Sequence, residues 1–246
     1  MIDLHAHLLP GIDDGPATVE EALVLAKACA ETGVNELFVT PHVYPGQWGN
    51  TRSSIAREFA RFDFAVKRLG LPITLHMAGE VRLCDDIFEL LGEGELPFLG
   101  RCQGFDSLLL ELPDGQVPVG AERAVRHLLD HKVRPIIVHP ERNKGVMERP
   151  ERMRGFVEMG CVLQLTAASV VGEFGAAALR TAQTLIDEGW VDVVASDAHN
   201  LRGRAPRMDA ARAALGKAYG PAFADELTMH GPARLAGLPR RQSMAA

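Results

Sequence analysis

Short apolar runs recur along the chain at nearly even spacing, and segments with helical periodicity lie between them. Runs of this length, rich in Val, Ile and Leu, are typical of strands that are buried on both faces. The predicted strands cover residues 2–8, 34–40, 73–80, 107–112, 134–139, 162–166 and 191–196.

The segments between these runs have the signals of helix starts and stops. Thr18 and Glu21 form a capping box, and Gly33 is placed to end that helix. Apolar residues three or four apart between Ile55 and Leu69 predict a second helix. Further helices are predicted at 84–92, 120–131, 147–159, 176–188 and 207–219.

Regular alternation of strand and helix predicts an α/β fold with a parallel sheet. Because the connections are so uniform, a closed (β/α) barrel is favoured over an open sheet. No linker or shift in composition divides the chain. We therefore expect one domain over residues 1–239 and a disordered tail at 240–246.

Histidines and acidic residues stand at the carboxyl ends of the predicted strands. In a parallel barrel these ends open onto one face, where active sites are built. A single histidine at a strand end is ordinary, but here six of the seven predicted strands end in His, Asp or Glu, which predicts a metal centre. The first loop adds Asp13 and Asp14, whereas the sixth strand offers only Gln164 and Thr166. With Asp14 counted, the candidate ligands are His5, His7, Asp14, His42, Glu80, Glu111, His139, Asp197 and His199.

This set of imidazoles and carboxylates restricts the metal. It holds more ligands than one ion of four to six coordination can use, so two or three ions that share bridging carboxylates are expected. Mixed nitrogen and oxygen ligands suit Mn²⁺, Fe²⁺ or Zn²⁺ and argue against an all-oxygen Ca²⁺ site.

Composition and charge exclude several classes of protein. The 246 residues are 47% hydrophobic and 24% charged, which is typical of a globular protein and not of a fibrous or disordered one. The net charge of -6 disfavours a nucleic-acid partner. We see no signal peptide or membrane span in the sequence, so we expect a cytoplasmic protein.

The four cysteines exclude one phosphatase mechanism. A cysteine-dependent phosphatase needs an arginine six residues after its nucleophile, to hold the phosphate over the thiolate. The residues six positions after Cys29, Cys84, Cys102 and Cys161 are Asn35, Leu90, Leu108 and Ala167. The cysteines are therefore expected to be reduced and structural.

Several motifs together resemble the PHP (polymerase and histidinol phosphatase) superfamily, and within it the bacterial manganese-dependent protein-tyrosine phosphatases of capsule and exopolysaccharide operons. The resemblance spans the whole chain in order and spacing. It rests on residues 1–7, Asp13-Asp14-Gly15-Pro16, Thr40-Pro41-His42, Gly79-Glu80, His139-Pro140-Glu141-Arg142, Ala195-Ser196-Asp197-Ala198-His199-Asn200, Gly203-Arg204-Ala205-Pro206 and Gly231-Pro232-Ala233-Arg234.

The resemblance implies a fold and site roles. The fold would be the PHP fold, a single-domain, distorted (β/α)7 TIM-like barrel that holds three metals. Asp14 rather than Asp13 would be the loop ligand, and Glu80 would bridge two ions. Arg142 and Arg204 match the two phosphate-binding arginines of the family. Both follow a candidate ligand by a few residues, so both should reach the mouth of the site, where a guanidinium can grip phosphate oxygens.

The implied activity is hydrolysis of phosphotyrosine by a metal-activated water, with a bacterial tyrosine kinase of capsule or exopolysaccharide synthesis as the expected phosphoprotein partner. Tyr44 or Trp48, in the loop after His42, is predicted to pack against the substrate ring, and anchoring of that Gly/Pro-rich loop is an equally good explanation of both residues.

Other functions stay open from the sequence. One alternative is a histidinol-phosphate-type small-molecule phosphatase, and a phosphodiesterase or nuclease is disfavoured because there is no basic strip for a polynucleotide. From a different class, the chain could be a non-catalytic metal-binding partner of a kinase, which the intact ligand set argues against. Assembly as a homo-oligomer also stays open.

Overall fold

Strands and helices alternate along the computed structural model, which describes residues 1–239. The predicted tail at 240–246 lies outside the described residues. The strands are β1 (Ile2–Ala6), β2 (Glu36–Val39), β3 (His42–Val43), β4 (Thr74–Met77), β5 (Glu80–Arg82), β6 (Gly100–Cys102), β7 (Phe105–Glu111), β8 (Val133–Val138), β9 (Val162–Thr166) and β10 (Val191–Ala195).

The helices follow most of the predicted ranges, with short additions near the carboxyl end. They are α1 (Val19–Glu31), α2 (Arg52–Leu69), α3 (Ile87–Glu93), α4 (Ala121–Asp130), α5 (Lys144–Glu148), α6 (Arg154–Glu158), α7 (Ala167–Val170), α8 (Gly175–Asp187), α9 (Met208–Tyr219), α10 (Pro221–Asp225) and α11 (Gly231–Leu235). Among the described residues, none of these helices combines the length and the apolar character that a membrane crossing needs.

Local chemistry explains where two of the helices begin and end. The Thr18 hydroxyl accepts a hydrogen bond from the Glu21 N–H at 3.2 Å and so caps the start of α1. Gly70 follows α2 in the left-handed region, with φ of 68°, where glycine carries no Cβ penalty. The helix predicted over 147–159 is wrong as one element. It is broken into α5, a 3-10 turn at Pro150–Met153 and α6, because Pro150 has no N–H to donate.

The α/β prediction with mostly parallel strands is confirmed. One sheet has the order β1-β2-β4 and the other the order β10-β9-β8-β7-β5-β3, with β6 added to β7 as an antiparallel hairpin. All the other ladders are parallel. The strand ladders of residues 1–239 form two sheets rather than one closed ring.

The strand predicted over 73–80 is split into β4 and β5, so Glu80 begins a strand instead of ending one. The break falls at Gly79, whose N–H donates to the Pro97 carbonyl at 3.2 Å. A Cβ at this position would lie 2.4 Å from Cγ of Pro97, so only glycine fits there. The close approach of Pro97 therefore determines where the strand breaks between β4 and β5.

Backbone and side-chain hydrogen bonds join β1 to the end of β10, and we call this junction the β1–β10 seam. The buried Asp3 carboxylate accepts from the backbone N–H of Ser196 at 2.9 Å and of His5 at 3.3 Å. The Asp197 N–H donates to the His5 carbonyl at 2.8 Å, and the His7 N–H donates to the Ala198 carbonyl at 2.8 Å. The seam fixes the register between two segments that carry candidate ligands.

Candidate metal centre

All the candidate ligands lie together. His42 and Glu80 follow β2 and β4 and begin β3 and β5, and the other strand-borne ligands lie at or just after the carboxyl ends of β1, β7, β8 and β10. The β1–β10 seam brings His5 and His7 next to Asp197 and His199. Asp14 comes from the loop before α1, and its side chain is 39% exposed. The remaining candidate ligands are buried, namely His5, His7, His42, Glu80, Glu111, His139, Asp197 and His199.

Donor atoms of these residues form three overlapping groups, each with its atoms within 4.8 Å of one another. The groups are His7, Asp14, His42 and His199; His5, His7 and Glu80; and His42, Glu80 and Glu111. His7, His42 and Glu80 each belong to two groups, which is the arrangement that neighbouring ions with shared ligands require.

His139 and Asp197 border these groups. His139 Nε2 lies 2.7 Å from Glu80 Oε1. Asp197 Oδ1 lies 3.4 Å from His5 Nε2 and 3.6 Å from His7 Nε2. The structure therefore brings together every ligand that the sequence predicts.

Buried polar atoms without hydrogen bonds show that the centre fits metal ions. Among the described residues, His42 Nδ1, Glu80 Oε2, Asp197 Oδ1 and His199 Nε2 have no hydrogen-bond partner. His42 Nδ1 and Glu80 Oε2 are only 3.0 Å apart, as are His199 Nε2 and Asp14 Oδ1. Buried polar atoms are normally paired. Divalent ions between these nitrogen and oxygen donors would satisfy them, and the donor set suits such ions.

Two residues outside the predicted set orient the histidines. Asp13 Oδ2 lies 2.7 Å from His7 Nδ1 and also accepts from the His42 N–H at 3.1 Å. Gln164 Oε1 lies 2.8 Å from His5 Nδ1. Each contact holds Nδ1 and leaves Nε2 directed at the centre, which is how supporting residues fix the tautomer of a metal-binding histidine. The sequence placed both residues near the site but could not assign these roles.

Arg82 is a site residue that the sequence analysis missed. Its Nη1 lies 3.0 Å from Glu111 Oε1 and 3.6 Å from Asp114 Oδ1. The guanidinium also lies over the ring of Tyr44, 5.3 Å from the ring centroid. Arg82 follows Glu80 by two residues on β5. Side chains alternate between the two faces of a strand, so this spacing was the one signal in the sequence that placed Arg82 on the same face as Glu80.

The two predicted phosphate-binding arginines reach the mouth of the centre. Arg142 Nη1 donates to Asp197 Oδ2, and Arg204 Nη2 donates to the same oxygen at 2.8 Å. Arg204 Nη1 lies 3.2 Å from Asp14 Oδ2. Both side chains remain partly exposed, so both have donors available to an anion from solvent.

The loop after β3 places its two aromatic side chains beside the centre. Tyr44 and Trp48 are linked by backbone hydrogen bonds in both directions, at 2.9 and 2.7 Å. The Trp48 ring stacks on the candidate ligand His42, with centroids 4.6 Å apart and planes at 9°. The Tyr44 ring instead lies against Arg82.

Burial and neighbouring charges raise the pKa of two histidines of the centre and lower that of two others. Burial disfavours the imidazolium of His5, but the Glu80 and Asp197 carboxylates outweigh it and raise the His5 pKa to about 9. His42 is likewise desolvated, and Glu80 and Asp14 raise its pKa to about 11. Burial lowers the pKa of His139 to about 4, helped by the Arg142 charge.

Burial and neighbouring charges also shift the pKa values of His199, Glu111 and Asp197. Burial, reinforced by the His7 ring, lowers the pKa of His199 to about 4. Burial and the nearby Glu80 raise the pKa of Glu111 to about 7. The pKa of Asp197 is well below its usual value, because Arg204 and Arg142 more than offset its burial.

Comparison with known proteins identifies the family. A family model described as capsular polysaccharide synthesis, CpsB/CapC, matches residues 1–236. CapC of Staphylococcus aureus is 30% identical over 206 residues, which cover 83% of this chain and 79% of that protein. The tyrosine-protein phosphatase YwqE of Bacillus subtilis is 29% identical over 220 residues, covering 89% and 85%.

A solved structure agrees over nearly the whole chain. It comes from a study of YwqE from Bacillus subtilis and CpsB from Streptococcus pneumoniae, described as metal-dependent tyrosine phosphatases. The match has a TM-score of 0.89 at 27% identity and covers 98% of this chain and 96% of the other. Since the family model also covers almost every described residue, the chain belongs to the CpsB/CapC family of capsular polysaccharide synthesis proteins.

Proposed function

We propose that the chain is a metal-dependent protein-tyrosine phosphatase, a phosphoric monoester hydrolase whose substrate is a phosphotyrosine protein of capsule or exopolysaccharide synthesis. The observation that carries the proposal is the buried cluster of imidazole and carboxylate donors with two partly exposed arginines at its mouth. The activities named for YwqE and CpsB support it. A tyrosine kinase is the partner we propose, because a phosphotyrosine protein must first be phosphorylated by such a kinase.

The metal ligands in this proposal are His5, His7, Asp14, His42, Glu80, Glu111, His139, Asp197 and His199. Glu80 would bridge, since it belongs to two donor groups and both of its oxygens face histidines. Divalent ions bound there would polarise the phosphoryl oxygens and supply an activated water at neutral pH. Mn²⁺ is the ion we propose, because it accepts nitrogen and oxygen ligands together.

Arg142 and Arg204 are proposed to hold the phosphoryl group. Their guanidiniums converge on one oxygen of Asp197, so they approach the centre from the same side and within reach of a single phosphate. Planar guanidinium donors match phosphate oxygens and neutralise the charge that develops as the P–O bond breaks. The leaving group is a phenolate, with an unperturbed pKa near 10, so it depends less on a strong general acid than an alkoxide does.

Trp48 and Tyr44 are proposed to contact the substrate ring. Trp48 is the better placed, because it stacks on His42 and is not fully buried. Aromatic packing contributes about 0.5–1.5 kcal/mol beyond area burial. Trp48→Ala should therefore lower kcat/KM for a phosphotyrosine peptide by about threefold to tenfold without a comparable loss on a small alkyl phosphate, and an equal loss on both would refute the contact.

We also propose that residues 1–239 form one domain in which both sheets belong to a single distorted (β/α)7 barrel. Two observations support this. Apolar residues from both sheets, including Leu4, Phe38, Leu109 and Ile136, share one buried cluster. The β1–β10 seam adds backbone hydrogen bonds between the two sheets, including a parallel bridge from Ala6 to Ala198.

A substrate panel tests the function. Metal-loaded and metal-free protein would be compared on a phosphotyrosine peptide, a phosphoserine peptide, histidinol phosphate and a dinucleotide. We expect metal-dependent hydrolysis with the highest kcat/KM on phosphotyrosine, unaffected by alkylation of cysteines. Preference for histidinol phosphate would replace the proposal with a small-molecule phosphatase, and inactivity on all four substrates would favour a non-catalytic role.

A further inference from the structure

We propose that an open cleft beside α1 binds the peptide segment next to the phosphotyrosine and favours an acidic residue there. This inference rests on the proposed function. The cleft, called here the α1 cleft, has a volume of about 640 Å³, and its walls include Asp14, Val24, His199, Leu201 and Arg202. A volume of this size lies within the range of pockets that hold small-molecule ligands, so it has room for a few side chains.

The α1 cleft is continuous with the candidate metal centre. Two of its wall residues, Asp14 and His199, are candidate ligands, so a polypeptide held by its phosphate at the centre can extend directly into the cleft. A second cleft touches the centre at His139 and Arg142, but it measures only about 90 Å³. A peptide leaving the centre therefore has far more room on the α1 side.

Exposed apolar side chains line the α1 cleft. Val24 is 55% exposed and Leu201 is 50% exposed, and both face the same cleft from α1 and from the loop after β10. Single exposed apolar residues are common on protein surfaces. Two of them on opposing walls beside a reactive centre give a bound peptide apolar surface to cover.

Charge in the α1 cleft favours an acidic peptide. No ion pair involves Arg202 among the described residues, whereas Arg204 and Arg142 are both engaged with Asp197. Two acidic residues also line the cleft: Asp14 belongs to the candidate metal centre, and Glu21 lies in the first turn of α1, where the helix dipole offsets its charge and its carboxylate accepts a hydrogen bond from the Ala17 N–H at 2.9 Å. Arg202 is the one Lys or Arg side chain among the described residues that line the cleft, and a peptide carboxylate that reaches it would form an ion pair.

Hydrogen bonds hold the wall that carries Arg202 in shape. The side-chain oxygen of Asn200 accepts from the backbone N–H groups of Arg202 and Gly203, each at 3.0 Å. The His199 N–H also donates to the Arg204 carbonyl at 2.9 Å. A preformed wall lowers the entropic cost of binding. The same loop thus fixes Arg204 at the centre and Arg202 in the cleft.

The test uses Mn²⁺-loaded protein and three substrates. Two are phosphotyrosine peptides that differ only in having glutamate or lysine on both sides of the phosphotyrosine, and the third is 4-nitrophenyl phosphate, which has no flanks. The variants are Leu201→Ser and Arg202→Glu. Matched controls are Leu69→Ser, a leucine that is 54% exposed on α2, and Arg180→Glu, an exposed arginine on α8.

We expect wild type to prefer the glutamate peptide. Arg202→Glu should lower kcat/KM for that peptide about tenfold through KM and reverse the preference for the two peptides, as charge reversal at a contact does. Leu201→Ser should raise KM for both peptides by about threefold to fivefold, the effect of losing a partly buried apolar contact. Neither change should alter 4-nitrophenyl phosphate hydrolysis, and the controls should match wild type on all substrates.

The possible failures are distinct. Unchanged peptide kinetics in both variants, or equal losses on peptides and 4-nitrophenyl phosphate, would overturn the α1 cleft as a peptide site while leaving the phosphatase intact. A wild-type protein that hydrolyses none of the three substrates would overturn the proposed function, and the inference that rests on it would fall with it.

Discussion

Metal binding to the metal-free centre should release more than two protons at pH 7, so metal affinity should rise steeply with pH. A histidine must be neutral to bind a metal ion. In the metal-free centre, neighbouring carboxylates hold the pKa of His5 at about 9 and that of His42 at about 11, so both are cationic at pH 7. Both protons must leave when metal binds.

The size of the release follows from the same set of pKa values. His139 and His199, with pKa values of about 4, are already neutral at pH 7 and release nothing. Glu111, with a pKa of about 7, is half protonated and adds about half a proton. These five groups together release about 2.5 protons, so the logarithm of the association constant should rise by at least about 2 per pH unit near pH 7.

Calorimetry measures both quantities. Mn²⁺ would be titrated into metal-free protein at pH 7 in buffers of different ionisation enthalpy, and the dependence of the observed enthalpy on that quantity gives the number of protons released. Repeating the titration between pH 6 and pH 8 gives the slope of the affinity. Release of fewer than one proton, or an affinity that does not change over this range, would refute the electrostatic reasoning.

Three further predictions concern single side chains. Arg142→Ala and Arg204→Ala should keep bound metal and lose about 2–4 kcal/mol in kcat/KM, because each removes a fixed charge donor; metal analysis and kinetics measure both. Asp197→Ala should lose metal and turnover, because it removes a buried donor oxygen at the seam. Arg82→Met should lower the free energy of unfolding of the metal-free protein by about 1–2 kcal/mol, because it removes the guanidinium that pairs with Glu111 and lies over the Tyr44 ring; calorimetry should show the melting temperature fall by about 3–6 °C.

Each of these predictions can be refuted by a specific result. Unchanged kinetics in both arginine variants would leave the phosphate held by metal alone. Wild-type metal content with wild-type turnover in Asp197→Ala would remove that residue from the centre. The matched control for Arg82 is Arg101→Met, because Arg101 pairs with Asp106 on the surface at 3.6 Å and its loss should cost less than about 1 kcal/mol. Equal melting temperatures for the two variants would contradict the role of Arg82.

The sequence predicted strand and helix order well because burial on both faces and helical periodicity are local signals. It failed where a distant segment decides the local structure. The strand over 73–80 breaks at Gly79 because Pro97 approaches its backbone, and nothing nearby in sequence announces that contact. The break in the helix over 147–159 could have been found, since Pro150 lies inside that range.

The candidate site shows the same contrast between local signals, which the sequence contains, and contacts with distant segments, which it does not. Ligands at strand ends could be found because the topology of a parallel sheet gathers those ends. The partner of Arg82 could not be found, because Glu111 reaches it from another strand. Spacing alone could not divide the roles of Asp13 and Asp14, which are adjacent, and it was the family resemblance that singled out Asp14. The side-chain directions show that Asp13 contacts His7 while Asp14 faces His199.

The β1–β10 seam has a consequence for the order of events during synthesis. Asp3 and Ser196 are 193 residues apart, so β1 leaves the ribosome long before the segment that pairs with it. Long-range parallel pairing of this kind is slow compared with local helix formation. His5 and His7 therefore meet Asp197 and His199 only after the whole stretch between them has been synthesised. Ions that reach the growing chain find ligands in small sets, and the full set of candidate donors exists only after His199 has been synthesised.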